Sequence, residues 1–92
     1  MILRGIVRAG SHVETAQGRL ELILELQGVG PAQPRRVVVP HEVLVSESWL
    51  DPDDVAGRGL DAEIEMADDG RWRVTVLRLG PGRVLRPPPD RA

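Results

Sequence analysis

Hydrophobic and polar positions alternate with a period of two along most of this 92-residue chain. In residues 19–27, Leu20, Leu22, Leu24 and Leu26 fall on one side, and Arg19, Glu21, Ile23, Glu25 and Gln27 on the other. A helix would scatter those four leucines around its axis, whereas a strand aligns them against a core. Leu and Glu are good helix formers, but Gly18 and Gly28 bound a strand-length segment, and pattern outweighs propensity there. A first strand is expected over 2–9, with Leu3, Gly5, Val7 and Ala9 on one face and Ile2, Arg4, Ile6 and Arg8 on the other. Gly5 suggests a bend or a close backbone approach. Residues 10–18 read as a loop or a ragged hairpin end. Residues 28–35, with Gly28, Gly30, Pro31 and Pro34, read as a second loop. A β-branched third strand over 35–39 is stopped by Pro40; residues 41–45 either continue it past a kink or form an edge.

Only residues 50–56 carry a helix signal. Asp51 is an N-cap type, Pro52 stands at the first helical position, and Asp53 and Asp54 suit the positive end of the helix dipole. Leu50 and Val55 match a hydrophobic staple, and Gly57 and Gly59 stop the helix after one or two turns. A closing hairpin follows. Leu60, Ala62, Ile64 and Met66 alternate with Asp61, Glu63 and Glu65, and Arg71-Trp72-Arg73-Val74-Thr75-Val76 returns. A two-residue turn would set Met66 against Arg73. A three-residue loop over 68–70 pairs Met66 with Trp72, Glu65 with Arg73, Ile64 with Val74 and Ala62 with Val76, and keeps the faces consistent. It requires a left-handed Gly70 and turns Trp72 inward against Met66. After Gly80-Pro81-Gly82 and a short Val84-Leu85 stretch, Pro87-Pro88-Pro89 predicts an extended or disordered tail.

Strand, strand, strand, short helix, strand, strand is the element order of the OB-fold. The Gly5-Ile6-Val7 strand and the alternating Leu20–Leu26 strand resemble its opening hairpin. The Asp51–Gly59 helix and turn, followed by Leu60–Met66, resemble its helix and the start of its fourth strand. The expectation is an all-β chain: a five-stranded, partly open OB-like barrel with one short helix between strands 3 and 4. Residues 1–86 form the barrel domain and 87–92 a Pro-rich tail. The fold has no single activity, so the resemblance carries over no catalytic or binding residue.

Composition narrows the function classes. The chain has no cysteine, which excludes a disulfide framework, a thiolate metal site and a thiol nucleophile. No apolar run approaches a membrane span, the first residues read as a strand rather than a signal peptide, and a cytoplasmic protein with no membrane partner is expected. All twelve basic residues are arginine, against fourteen acids, for a net charge of −2. That balance argues against a basic, tail-like nucleic-acid binder. Trp49 and Trp72 are the only aromatic residues, although single strands are usually held by stacking bases on such rings.

Catalytic constellations are weak. Ser11 and His12 are adjacent, which points their side chains apart and spoils a triad with Glu14. His12 and His41 are too distant in sequence to signal a metal site. Helix capping explains Asp51, Asp53 and Asp54, and the hairpin turn explains Asp68 and Asp69, so neither cluster requires a cation. No cofactor and no enzymatic activity are expected. Charge is uneven: residues 42–69 hold ten acids and the single Arg58, whereas 70–92 hold six arginines and Asp90. Cross-strand pairs such as Glu65–Arg73 neutralise part of this. Arg4, Arg8, Arg35 and Arg36, with Arg83 and Arg86, form a basic strip, and Trp49 is the aromatic candidate beside it. Ile2, Ile6, Ile23, Val38, Leu77 and Leu79 fall on nominally outward faces and call for cover by the tail, by residues 41–50 or by a second subunit. The reading is a non-enzymatic interaction module that binds a protein partner or self-associates. The alternative is an oligonucleotide binder, with Arg4, Arg8, Arg35 and Arg36 on phosphates and Trp49 or Trp72 stacking.

Overall fold

The structure is a computed structural model that describes residues 1–44 and 55–80, together with the backbone of 83–85. Among the described residues, the elements follow in the order β1 (Ile2–Glu14), β2 (Leu20–Gln27), β3 (Arg36–Val39), α1 (His41–Leu44), β4 (Gly59–Met66), β5 (Trp72–Leu79) and β6 (Arg83–Leu85). The sheet order is β3-β2-β1-β4-β5-β6. A parallel pairing of Val38 with Arg73 joins β3 to β5 and closes the first five strands into a barrel. The all-β, five-stranded expectation holds, with a short helix between the third and fourth strands. β6 adds to the free side of β5 through Leu77↔Leu85 and Leu79↔Arg83.

The core follows the alternation. Leu22, Leu24 and Leu26 from β2 meet Leu3 and Val7 from β1, Val37 and Val39 from β3, and Leu60, Ala62 and Ile64 from β4. Among the described residues no polar or charged side chain is fully buried. Pro40 stops β3 as expected, but residues 41–44 form a helical turn rather than a strand continuation. The amides of Val43 and Leu44 both donate to the Pro40 carbonyl, at 3.0 and 2.9 Å. That turn drives Val43 and Leu44 into the core, where both are fully buried. The expected helix over 50–56 lies almost wholly outside the described residues, as do Trp49 and the 87–92 tail; Val55 is buried in the core.

Three further expectations are corrected. β1 does not end at residue 9 but runs to Glu14, so 10–14 is strand, not loop. Its second half pairs with β2 from Ile6↔Gln27 to Glu14↔Leu20, with a shift between Val7 and Ala9. The extra residue, Arg8, re-phases the strand, so Gly10 and His12 take the inward positions. Neither residue is apolar, which hid the strand. A Cβ on Gly10 would lie 3.2 Å from Val55 and 3.5 Å from Leu22 and Leu24, so long side chains from elsewhere already fill that space.

The final hairpin has the three-residue loop expected: Met66↔Trp72, Glu65↔Arg73 and Ile64↔Val74 pair, and Gly70 has φ +81°. A second shift, between Glu63 and Ile64, then makes Ala62 face Leu77 instead of Val76. Leu77 and Leu79 are consequently core residues, 0% and 1% exposed, and not outward ones, and Val38, likewise expected outward, is 6% exposed. The third correction concerns burial. Trp72 is half-buried against the core, while its partner Met66 is 52% exposed at the barrel rim.

Candidate functional site

Four predicted cations receive a place in the fold. Arg4 lies on the outer face of β1 and is engaged by Asp61, 3.3 Å from its Nε. Arg8 is the extra residue of the β1 irregularity and is exposed. Arg35 and Arg36 stand at the start of β3, where the Leu26 amide donates to the Arg35 carbonyl at 2.7 Å and Arg36 pairs across to Glu25. The fold brings three of the four together. Arg8, Arg35 and Arg36 line one open groove of about 490 Å³, with Glu25, Leu26, Gln27, Gly28 and Val29 completing its wall. Arg4 is not part of it, and Trp49 lies outside the described residues.

Local sequence builds this groove. The shift at Arg8 turns a residue out of the regular pleat and leaves it unmatched on β2. Gly28, at φ +73°, turns the chain out of β2. Val29 then folds back over Gly5, where a Cβ would come within 2.8 Å of Val29 Cγ1 and 2.9 Å of the Gln27 carbonyl oxygen. Glycine at position 5 is what lets the β2–β3 loop press against β1. Gln33 ties the loop to itself and to β1: its Oε1 accepts from the Gly30 amide at 3.1 Å, and its Nε2 donates to the Ile2 carbonyl at 3.1 Å. The signals for Gly28 and Val29 as wall residues were present in sequence only as a Gly/Pro loop.

The other arginines are largely committed. Arg71 Nε donates to Asp69 Oδ2 at 2.9 Å, and its Nη2 stands 3.7 Å from Glu21. Arg73 reaches Glu42 at 3.3 Å. Arg78 lies between Glu63, at 2.8 Å, and Asp61, at 3.7 Å. Arg58 Nη1 donates to the Gly80 carbonyl at 3.3 Å. Within the groove Arg36 Nη2 donates to Glu25 Oε1 at 3.0 Å. Among the described residues, Arg8 and Arg35 have no acidic partner, so the groove holds two uncompensated cations and a third held by one exposed carboxylate. A guanidinium presents a planar fork of donors matched to carboxylate or phosphate oxygens. The arrangement suits an anion, and no nucleophile lines it.

A second face lies across the end of β1, the β1–β2 turn, β2, β3 and the β4–β5 turn. Two shallow depressions, of about 100 and 510 Å³, share Glu21 and Arg71. Arg71 pairs there with Glu21 and Asp69. The Arg71 amide also donates to Asp69 Oδ1 at 3.0 Å; that bond, then the side-chain bond from the same arginine, holds the Asp69 carboxyl below its ordinary value.

The histidines do not meet. Ser11 and His12 occupy opposite faces of β1, and His41 Nδ1 donates to the Leu20 carbonyl at 3.1 Å. Among the described residues, no group of three or more His, Asp or Glu side chains is placed to hold a metal ion, and no helix is long and apolar enough to cross a membrane. Compared with known proteins, the chain matches no family model, no curated protein and no solved structure.

Proposed function

We propose that the protein is an OB-like barrel that works as a non-enzymatic interaction module, holding an acidic segment of a protein partner between Arg8, Arg35 and Arg36. The OB-like assignment is supported by the β3-β2-β1-β4-β5 order, the parallel β3–β5 closure and the helix between β3 and β4. The observation that carries the binding reading is the convergence of the three arginines on one groove in a chain whose other described arginines mostly face their own acids. A polypeptide fits this wall better than a nucleic acid does. Among its lining residues there is no aromatic ring for a base to stack on.

Anisotropy of a labelled Glu-rich peptide and of a mixed-sequence single-stranded oligonucleotide tests this at several salt concentrations. The peptide is expected to bind, to weaken as salt rises, and to lose about tenfold in affinity in Arg8→Ala or Arg35→Ala. Arg19→Ala, at the far turn, should leave it unchanged. Tighter binding of the oligonucleotide, lost in the same variants, would overturn the reading in favour of nucleic acid.

A further inference from the structure

The same region presents an apolar contact beside its cations. Ile6 is 43% exposed on the outer face of β1. Its cross-strand neighbours are Gln27 on β2 and Gly59 on β4. Gln27 is itself a wall of the arginine groove, so Ile6 stands one strand beyond the groove's rim. On its other flank lies glycine backbone, with the Arg58 side chain donating to the Gly80 carbonyl beside it. Gly59 and Gly80 lie side by side, the Gly80 amide donating to the Gly59 carbonyl at 3.0 Å, and a Cβ on Gly59 would meet nothing within 4 Å.

The position of Ile6 relative to charge is what distinguishes it from scattered surface apolar residues. Arg8, two residues on, is a groove cation. Two residues of chain span at most about 7 Å whatever the irregularity at Arg8, a reach that two residues of an extended ligand also cover. The other apolar residue of this row, Ile2, has as its cation neighbour Arg4, already engaged by Asp61. Only at Ile6–Arg8 does an exposed aliphatic side chain adjoin a cation that has no acidic partner among the described residues.

We infer that the groove's occupant is a bipartite acidic segment, with an aliphatic residue flanking its carboxylates and seated on Ile6. This rests on the reading of the groove as an acidic-segment site and names the second half of what it recognises. The two halves respond differently to salt. Carboxylate–guanidinium contacts are screened, whereas burial of an aliphatic side chain is not weakened by simple salts.

The experiment compares two labelled peptides on the full chain: one Glu-rich, and the same peptide carrying a Leu beside the glutamates, with the Leu tried at either end. One end is expected to bind about tenfold tighter than the Glu-rich parent, and that advantage should persist as salt rises. Ile6→Ser should erase the advantage while leaving the parent peptide's affinity unchanged, and Ile2→Ser should alter neither. Because Ile6 is exposed, the variant is expected to keep the wild-type circular dichroism. Equal affinity of all peptides, or an advantage that survives Ile6→Ser, overturns the bipartite ligand while the acidic groove stands. Failure of every peptide to bind overturns both.

Discussion

Single residues show how differently two glycines act. A Cβ at Gly5 would overlap Val29 and the Gln27 carbonyl, whereas at Gly70 it would meet nothing within 4 Å but would sit at φ +81°. Gly70→Ala should therefore cost about 1 kcal/mol through backbone strain alone. Gly5→Ala should cost about 1–3 kcal/mol through overpacking, and should displace the β2–β3 loop that forms the groove wall. Urea unfolding gives both costs, and amide shifts of Gly28 and Val29 in Gly5→Ala show the displacement. Trp72 illustrates where pattern reading stops. Alternation places it on the inward side, but it lies at the end of β5 beside an exposed Met66, so its ring is only half covered. Trp72→Ala is expected to cost about 2 kcal/mol, below the about 3–5 kcal/mol of a fully buried ring, and Met66→Ala much less. Equal losses for the two variants would contradict that asymmetry.

Elements were readable in proportion to how regularly they alternate. The four leucines of β2 announced both the strand and its buried face. The β4–β5 hairpin was readable at its turn, because only one loop length keeps Met66 off Arg73, and then went out of phase at Glu63/Ile64. An irregularity adds one residue to one strand without changing composition, so nothing in the sequence marks it. The same physics hid the second half of β1, where Arg8 shifts the phase and Gly10 and His12 occupy inward positions. For this reason the groove was only half visible. The arginines could be named, but their convergence depends on a bend at Arg8 and a loop packed on Gly5. The turn also makes a prediction about pH. Asp69 accepts from the Arg71 amide and side chain, which lowers its pKa. A lowered folded-state value contributes stability that is present above the ordinary aspartate pKa and lost as pH falls through the folded value. A carboxyl carbon titration of Asp69 should show a midpoint below the ordinary range, returning toward it in Arg71→Ala.

At the scale of the whole molecule, net charge concealed the arrangement that matters. A chain at −2 gives no hint of a cationic groove, because Asp61 and Glu63 are met by Arg78, Glu42 by Arg73, and Asp69 and Glu21 by Arg71, while Arg8 and Arg35 in the groove, like Arg19 at the far turn, have no acidic partner among the described residues. The barrel order, by contrast, followed from counting strands and placing one helix between the third and fourth. Its closure has a kinetic consequence. β1–β2 and β4–β5 are hairpins joined by short turns, but the β3–β5 seam rests on the single pairing of Val38 with Arg73, far apart along the chain. The β1–β4 pairing closes a longer stretch of chain but returns five residue pairs for it, whereas the seam returns one for its loop-closure entropy, so the seam should zip last and part first. Val38→Ala is then expected to accelerate unfolding in proportion to its stability loss while leaving the refolding rate nearly unchanged. Stopped-flow measurement of both limbs checks this; a slowed refolding limb would place the seam in the nucleus. A barrel that parts at one seam can breathe along β3 without unfolding, and because Arg35 and Arg36 lead into that strand, exchange of its amides should slow when the groove is filled.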